Sequence, residues 1–387
     1  MQELTVIGAG VIGLSCAWRA AVAGWRVTVI DPAPASGASW VAGGMLAPVT
    51  EAWPGEERLL DLGVESLRRW PGFAADLGPC GLRTEGTVVA ATGSGDRAEL
   101  DAVAGHLSRL GRDVERLSGR ELRRLEPAIG PDVRGGLSVP GDLAVDNRVL
   151  LAALRRAAEA SGVRFVASAA QAVVDDGERV TGVVLGASRT DPSLAHVGTC
   201  ADDDPVRGTV LPATFVLVAA GAHSGSLHPV LDGLVRPVKG EILRLGHRPG
   251  AFPPPRRTVR ALVDGRAVYL VPRDDGGLVV GATQTETGFD TDVTVGGVRD
   301  LLRDAERVLP GIAEYALRET AAGLRPGSPD NRPLIGALGP TGLLVATGHG
   351  RNGMLLAPLT ADAVLGLLRG EPGPADADPT RFQEVAA

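Results

Sequence analysis

The hydrophobic pattern at the start of the chain predicts a strand, a tight turn, a helix and a second strand. An apolar run from Leu4 leads into Gly8-Ala-Gly10-Val-Ile-Gly13, and a second apolar run ends at Asp31. In such a turn the first glycine permits a tight bend, the second lets the backbone approach a pyrophosphate, and the third lets the helix lie close to the sheet. The helix N-terminus offers N–H groups to an anion, and an acid about 20 residues further on suits a ribose hydroxyl. The pattern predicts a dinucleotide-binding unit rather than a structural glycine turn.

The rest of the pattern predicts two architectures in one chain. Helical periodicity covers 57–77, which Pro71 bends or splits, and 97–111, 118–125, 297–309 and 147–160, the last capped by Asp146. Strands are predicted at 87–91, 163–168, 170–174, 180–185, 214–218, 235–245, 261–263, 267–272, 278–282 and 314–322. Strands joined by tight turns indicate an antiparallel sheet, unlike the opening unit. The predicted fold class is α/β of mixed α+β character: a Rossmann-like domain with an interleaved antiparallel-sheet domain.

Two polar or glycine-rich stretches interrupt this pattern. Residues 188–208 have no periodicity and predict an insertion loop, whose His196 and Asp202–Asp204 lack the spacing of a metal site. Residues 348–353 repeat the Gly-x-Gly-x-x-Gly pattern between a strand and a helix, but no second strand with a terminal acid follows. We therefore predict one nucleotide fold, with the second turn serving as a helix N-terminus for an anion or a carbonyl.

Composition and charge exclude several classes of protein. The 387 residues are 44% hydrophobic and 22% charged, which is typical of a globular chain. A net charge of −7 disfavours nucleic-acid and anionic-membrane partners, and no apolar run is long enough to cross a bilayer. Cys16, Cys80 and Cys200 show no metal spacing, and their odd number argues against a disulfide framework. Because the first strand begins at Leu4, we expect no signal peptide. Together with the cysteine count, this predicts a cytoplasmic enzyme, and we expect no metal site.

The motifs favour FAD over a nicotinamide cofactor. A nicotinamide dehydrogenase needs a His, Lys or Tyr within reach of a carbinol, and the pattern indicates none. A flavin enzyme that also uses NAD(P)H usually carries two complete nucleotide motifs, whereas this chain has one. FAD reduced by a hydride from the substrate fits these observations.

Motifs along nearly the whole chain, to about residue 370, resemble a known family. With the opening turn they are, in order, Gly43-Gly44-Met45-Leu46, Val218-Ala-Ala-Gly221, Tyr269-Leu-Val-Pro-Arg273, Gly281-Ala-Thr283, Gly323-Leu-Arg-Pro-Gly327 and Gly348-His-Gly-Arg-Asn-Gly-Met-Leu-Leu-Ala-Pro358. Together they resemble the FAD-dependent D-amino acid oxidase superfamily, and within it the glycine oxidases of thiamine biosynthesis. The resemblance implies non-covalent FAD and a homo-oligomer, often a homotetramer.

The resemblance also implies a division into interleaved domains. The FAD-binding domain would comprise residues 1–84, 141–224 (with the 188–208 insertion loop) and 322–370, followed by a tail at 371–387. The substrate domain would comprise residues 85–140 and 225–321, and its antiparallel sheet would cover the isoalloxazine.

Cofactor contacts are carried over from the family position by position. The opening turn would bind the pyrophosphate, Asp31 the ribose in place of the usual Glu, and Ala170 the adenine through its backbone in place of the usual Val. The segment from His349 to Leu355 would wrap the pyrimidine end, although Gly350 replaces a bulky residue there, and His223 replaces a common Trp. The predicted FAD contacts are Gly8, Gly10, Val11, Ile12, Gly13, Asp31, Ala38, Ser39, Gly43, Gly44, Met45, Ala170, Ala220, Gly221, Gly348, His349, Gly350, Arg351, Asn352, Gly353, Met354 and Leu355.

The predicted substrate contacts are Tyr269, Arg325 and Arg351, with no dedicated base. A guanidinium binds a carboxylate through two N–H donors and so fixes its orientation as well as its charge. We assign this role to Arg325, helped by the Tyr269 hydroxyl, and divide Arg351 between substrate and flavin. The alternatives are a surface ion pair for Arg325, an ordinary packed aromatic for Tyr269 and a surface charge at a helix start for Arg351.

The resemblance implies oxidation of glycine, and of small amines such as sarcosine or D-alanine, to an imine or glyoxylate with release of hydrogen peroxide. Glycine and oxygen would be the small-molecule partners, and the imine would either hydrolyse to glyoxylate and ammonia or pass on to thiazole synthesis. One alternative is a D-amino acid or sarcosine oxidase, or a quinone-dependent dehydrogenase, of the same superfamily. Another is a non-catalytic flavin module for electron transfer.

Overall fold

The computed structural model describes residues 2–186 and 209–383, and these form interleaved helices and strands. The helices are α1 (Val11–Val22), α2 (Ala38–Val41), α3 (Glu57–Leu77), α4 (Ser94–Arg109), α5 (Gly119–Leu125), α6 (Asn147–Ala160), α7 (Val295–Val308) and α8 (Gly353–Leu368). The strands are β1 (Glu3–Ile7), β2 (Arg26–Ile30), β3 (Met45–Leu46), β4 (Leu82–Arg83), β5 (Thr87–Ala91), β6 (Glu115–Ser118), β7 (Gly135–Val139), β8 (Leu143–Val145), β9 (Arg164–Val166), β10 (Ala170–Asp175), β11 (Val180–Leu185), β12 (Val210–Pro212), β13 (Val216–Val218), β14 (Arg236–Gly246), β15 (Thr258–Val263), β16 (Arg266–Pro272), β17 (Gly277–Gly281), β18 (Ala316–Gly327), β19 (Leu334–Ala337) and β20 (Leu343–Thr347).

A six-stranded sheet in the order β19-β20-β13-β1-β2-β9 forms the centre of the first domain. All its neighbouring strands run parallel except β19, which is antiparallel to β20. Helices α1, α6 and α8 pack together with buried residues such as Leu14, Leu154 and Leu356. A second core cluster joins the central strands to the three-stranded sheet β10-β11-β12. Because parallel strands end at the same edge, the turns after β1, β2, β13 and β20 lie along one edge, as in other doubly wound sheets that bind ligands there.

Close approach of backbone explains two glycines of the opening turn. Gly8 has φ +105°, and a β-carbon there would lie 2.4 Å from the Ala219 carbonyl oxygen. A β-carbon on Gly13 would lie 1.9 Å from the Gly8 carbonyl oxygen, so α1 can approach the turn only because Gly13 has no side chain. The predicted βαβ unit and the packing role of its third glycine are therefore present.

An eight-stranded sheet in the order β18-β14-β17-β16-β15-β5-β7-β6 forms the second domain. Its pairs are antiparallel, as predicted, except for β15 and β5, which run parallel. One face packs against α7 through residues such as Leu243, Leu270 and Val308. The other face, which carries Tyr269 and Ile242, packs against Val41 and Met45 of the first domain. The site predicted from the sequence therefore lies where two domains meet.

The structure agrees with some of the predicted element boundaries and differs from others. The Asp146 cap is confirmed, since Asp146 Oδ1 accepts from the N–H groups of Arg148 (3.0 Å) and Val149 (3.3 Å) at the start of α6. Pro71 lies inside α3 without splitting it. The predicted domain boundary after residue 321 falls inside β18, whose strand continues to Gly327. The 188–208 insertion loop lies outside the described residues.

The described part of the predicted tail packs back onto the first domain. Ala377 is buried, Phe382 contacts the core beneath β10–β12, and Arg381 Nε donates to Asp330 Oδ2 at 2.9 Å. No helix in residues 2–186 or 209–383 is long and apolar enough to cross a membrane.

We expect Gly13→Ala to destabilise the protein by about 1–3 kcal/mol, because its methyl group would push α1 from the turn. FAD retention should fall with it. The matched control is Gly72→Ala in the exposed part of α3, where a β-carbon meets nothing within 4 Å. That variant should be unchanged or up to about 1 kcal/mol more stable, from helix propensity alone. Urea unfolding and flavin absorbance per protein measure both effects, and equal behaviour of the two variants would contradict the packing role of Gly13.

Candidate active site

The turn after β1 and the acid after β2 are joined by hydrogen bonds. Asp31 Oδ2 accepts from the Ala9 N–H at 2.7 Å and Asp31 Oδ1 from the Ala33 N–H at 2.8 Å. The Val11 N–H donates to Ser39 Oγ at 3.0 Å, and a β-carbon on Gly10 would lie 3.2 Å from the same oxygen. These contacts bring four predicted cofactor positions, Gly10, Val11, Asp31 and Ser39, to one edge of the sheet.

The second glycine turn brings another helix N-terminus to this edge. Gly348 and Gly350 both have positive φ, and α8 begins at Gly353 after Asn352, whose side chain does not cap it. Its first N–H groups and the positive end of the helix dipole suit a carbonyl or an anion. His349 is buried, with Nε2 at 3.0 Å from Thr360 Oγ1, and burial lowers the pKa of His349 to about 3. His349 is therefore neutral at physiological pH.

The remaining predicted cofactor positions make different contacts within the protein. Gly44 has φ +82°, and its carbonyl accepts from the Val145 N–H at 2.7 Å, which continues the pairing of β3 with β8. Thr347 Oγ1 donates to the Gly221 carbonyl at 3.2 Å, which joins the turns after β13 and β20. Met354 and Leu355 have buried side chains. Ala38 opens α2, Met45 opens β3, and Ala170 opens β10.

Tyr269 lies between two glycines of different domains. A β-carbon on Gly281, its cross-strand neighbour, would lie 2.3 Å from the Tyr269 hydroxyl oxygen. A β-carbon on Gly43, in the first domain, would lie 2.8 Å from Cε2 of the same ring. Burial raises the pKa of Tyr269 despite the nearby charge of Arg325. The hydroxyl is therefore a neutral hydrogen-bond donor at the domain boundary.

Arg325 reaches across its sheet towards Tyr269. Its Nη1 donates to the carbonyls of Thr283 (3.3 Å) and Lys239 (3.5 Å), and a β-carbon on Gly240 would lie 2.2 Å from that nitrogen. Among the described residues no carboxylate forms an ion pair with Arg325, so the surface ion pair considered from the sequence is not observed there. An arginine bound only to carbonyls keeps its charge available for a carboxylate ligand.

Arg351 is occupied by protein groups. Its Nη2 forms an ion pair with Glu56 and donates to the Glu51 carbonyl at 3.2 Å. It lines a small pocket with Glu51, Glu56 and Leu355. Tyr269 and Arg325 share one face of the sheet, and the charge of Arg325 acts on the Tyr269 hydroxyl. The Arg351 guanidinium is paired with Glu56 instead, and its predicted contact with substrate stays a prediction.

Sequence reasoning missed a buried network that joins the domains. Arg273 Nη2 donates to the Gly43 carbonyl at 2.8 Å and to Asn147 Oδ1 at 3.2 Å. Asn147 Nδ2 donates in turn to the carbonyls of Ser39 and Trp40, each at 2.8 Å. Burial lowers the pKa of Arg273 to about 10, which still leaves it charged at neutral pH. The signal in the sequence that could have indicated this network is Arg273 itself, the last residue of the Tyr269–Arg273 motif.

A buried acid lies on the same side of the sheet. Thr50 Oγ1 donates to Asp142 Oδ2 at 2.7 Å, and the next residue, Glu51, forms an ion pair with Arg260 at 3.1 Å. Arg260 is the cross-strand neighbour of Tyr269. Burial raises the pKa of Asp142 to about 7, against the opposing effects of Thr50 and Arg260. Among the described residues no cluster of His, Cys, Asp or Glu could hold a metal ion.

A family model described as FAD dependent oxidoreductase matches residues 3–367. The chain belongs to this family of flavin-dependent oxidoreductases. The bifunctional protein ThiO/ThiG of Synechocystis is 32% identical over 380 residues, covering 95% of this chain and 51% of that protein. The chain therefore spans about half the length of this relative.

Single-function relatives match over most of their length. The glycine oxidase of Geobacillus kaustophilus is 31% identical over 376 residues, covering 95% of this chain and 92% of that protein. A crystal structure of glycine oxidase from the same organism superposes with a TM-score of 0.84 at 28% identity, covering 98% of this chain and 99% of that one. The mixed architecture with several sheets is therefore the fold of that structure.

The residues present fit FAD. Two helix N-termini, at Val11 and Gly353, lie at the carboxyl edge of one parallel sheet, and both are reached through turns with positive-φ glycines. The first suits the pyrophosphate and the second the carbonyl end of the flavin. Asp31 already accepts from the N–H of Ala9 in the first turn and from the N–H of Ala33, two residues after it, and its remaining lone pairs can accept from ribose hydroxyls.

We expect Arg325→Ala to weaken the binding of acetate, a carboxylate without an amine, to the FAD-loaded protein by about 10- to 100-fold. Hydrogen bonds to a charged group contribute about 1.5–3 kcal/mol, and each 1.4 kcal/mol is a factor of ten. Changes in the flavin spectrum report the Kd. Arg318→Ala, at the other end of β18, is the control and should bind as the wild type does. Unchanged acetate affinity in Arg325→Ala would refute the carboxylate role.

Asp142→Asn should remove a pH dependence of stability. The pKa of Asp142 is raised from 3.8 to about 7 by folding, so the folded state keeps a proton that the unfolded state has released. This contribution is complete below the unfolded value and is lost as pH rises through about 7. The free energy of unfolding of the variant relative to wild type should therefore increase between about pH 4 and pH 7. Urea unfolding across this range, with exposed Asp132→Asn as control, measures it; a pH-independent difference would contradict the prediction.

Proposed function

We propose that this chain is an FAD-dependent oxidase of glycine and similarly small amines, which yields the imine or glyoxylate, ammonia and hydrogen peroxide. The observation that carries the proposal concerns Arg325 and the Tyr269 hydroxyl, which lie on one face of the sheet over Gly240 and Gly281. Arg325 has no carboxylate partner among the described residues. This arrangement offers donors for one carboxylate and little room beside it. The names of the relatives support the same substrate.

Arg325 would hold the substrate carboxylate by charge and paired donors, and Tyr269 would add a neutral donor. This fixes the orientation of the α-carbon, and orientation of this kind supplies a large part of a rate enhancement. When bound, FAD would supply the two-electron oxidising chemistry, with oxygen as the final acceptor. The N-terminus of α8 would stabilise the negative charge that develops at the pyrimidine end.

The amine must lose its ammonium proton before oxidation, and His349, the histidine among the predicted cofactor positions, is not placed to accept it. His349 is buried against Thr360 and far from protonation at neutral pH. We therefore infer that the neutral amine is the form that reacts, and that Arg325 and Tyr269 act by binding and orientation.

The pathway and the assembly are part of the proposal. Relatives named bifunctional ThiO/ThiG support a hand-off of the imine to thiazole synthesis in thiamine biosynthesis. A homo-oligomer, often a homotetramer in the family, and a cytoplasmic location stay predictions from the sequence. Light scattering of the purified protein reports the oligomeric state.

Anaerobic mixing with glycine tests the activity. An oxidase bleaches the oxidised-flavin absorbance and releases hydrogen peroxide when oxygen is admitted, whereas an electron-transfer module does neither. Turnover should favour glycine and sarcosine over D-proline and bulky D-amino acids, because Gly43 and Tyr269 restrict the space. Preference for a bulky D-amino acid with glycine ignored would favour the D-amino acid oxidase alternative, and bleaching without peroxide would favour a dehydrogenase.

A further inference from the structure

We propose that Phe289 and His223 form an outer wall of the substrate site and limit the size of the amine substituent that it accepts. This inference rests on the proposed function, since it concerns the selectivity of the same site. The structural basis is the segment between β17 and α7, residues 282–294, here called the arm.

The arm begins beside the predicted carboxylate-binding group. The Thr283 carbonyl accepts a hydrogen bond from Arg325 Nη1 at 3.3 Å. Two residues later, the Thr285 N–H and carbonyl both pair with the backbone of Lys239, at 3.1 and 2.8 Å. An amino acid held by Arg325 therefore has the root of the arm as a neighbour.

The arm is anchored on both sides of Phe289. Asp290 forms an ion pair with the buried ammonium group of Lys239, and Asp290 Oδ1 accepts from the Asp292 N–H at 2.9 Å. At the far end, the Thr294 N–H donates to Glu241 Oε1 at 2.8 Å. These contacts hold the arm on the substrate domain and leave the Phe289 side chain projecting from it.

The Phe289 ring crosses to the other domain. It stacks on the His223 ring with centroids 4.8 Å apart and an interplanar angle of 19°. His223 lies in the short helix Gly221–Ser226, two residues after Gly221, which with Ala220 is a predicted FAD contact. Phe289 remains 55% exposed, so burial in a core does not explain its presence. The stack therefore joins the two domains. The arm that carries Phe289 contacts Arg325 at one end, and His223 lies beside the predicted cofactor turn.

A wall at this position would leave glycine unaffected and exclude larger substituents. Hydrophobic walls discriminate one methylene group by about 10-fold or more. Removing either ring should widen the site without removing Arg325 or Tyr269, which hold the carboxylate. The effect should appear as a change in selectivity rather than as a loss of flavin.

The first measurement compares kcat/KM for N-ethylglycine and sarcosine, which differ by one methylene. The ratio should rise about tenfold in Phe289→Ala and in His223→Ala, and His223→Phe, which keeps an aromatic ring, should retain the wild-type ratio. Phe252→Ala is the control: Phe252 is also exposed, but it lies beside Gly311 beyond the C-terminal end of α7. That helix has 14 residues, which separates the control from the arm by about 21 Å.

The second measurement needs no turnover. Chymotrypsin cleaves after phenylalanine, and the stack should protect the bond after Phe289 in the FAD-loaded enzyme. Cleavage there, identified by fragment mass, should be about two- to tenfold faster in His223→Ala than in wild type, and unchanged in His223→Phe.

The two measurements together decide the inference. An unchanged kcat/KM ratio in the alanine variants, an equal change in Phe252→Ala, or unchanged cleavage in His223→Ala overturns it. If glycine and its N-alkyl derivatives are not oxidised, the proposed function fails. The wall is then judged from the cleavage rates and from the ratio for whichever amine is turned over and its next larger homologue.

Discussion

The contact of Arg273 with the Gly43 carbonyl is the constraint on which the arrangement of the site depends. Arg273 directly follows β16, the strand that carries Tyr269, and Gly43 belongs to the first domain. This hydrogen bond holds the eight-stranded sheet against the first domain. Arg273 also donates to Asn147, which donates to the Ser39 carbonyl, and Ser39 Oγ accepts from the Val11 N–H at the start of α1. A charged group buried at such a boundary is costly to leave unpaired, so the carbonyl and amide acceptors around it are required rather than incidental.

Glycines at three positions leave the space that the side chains of the site occupy. Tyr269 and Arg325 project from different strands on one face, and each occupies the space left by a glycine on a neighbouring strand, Gly281 and Gly240 respectively. Gly43 completes the space around the ring from the first domain. The two donors can therefore approach the same small volume while the sheets remain in contact.

Local signals in the sequence predicted the elements whose causes are local. The Asp146 cap and the contact of Gly13 with the Gly8 carbonyl each depend on residues within a few positions, and both are present. The short strands β6, β7 and β8 were not predicted, because their pairing is set by distant strands rather than by their own pattern. For the same reason the sequence could not show that Arg351 pairs with Glu56, 295 residues away, or that Arg325 meets only carbonyls among the described residues. Ion pairing in the folded chain is decided by tertiary proximity, which one sequence does not contain.

The position of β20 has a consequence for synthesis of the chain. The turn after β1 and the turn after β20 are predicted to hold opposite ends of one FAD, although residues 13 and 348 lie at opposite ends of the polypeptide. Strand β13 separates them in the sheet, so the site closes only when Leu343–Thr347 has been added beside it. During translation from the N-terminus the first motif is therefore complete long before it has a full binding site. A chain truncated before α8 would retain the Gly8–Gly13 turn but would lack the helix N-terminus at Gly353, so we expect cofactor capture late in folding.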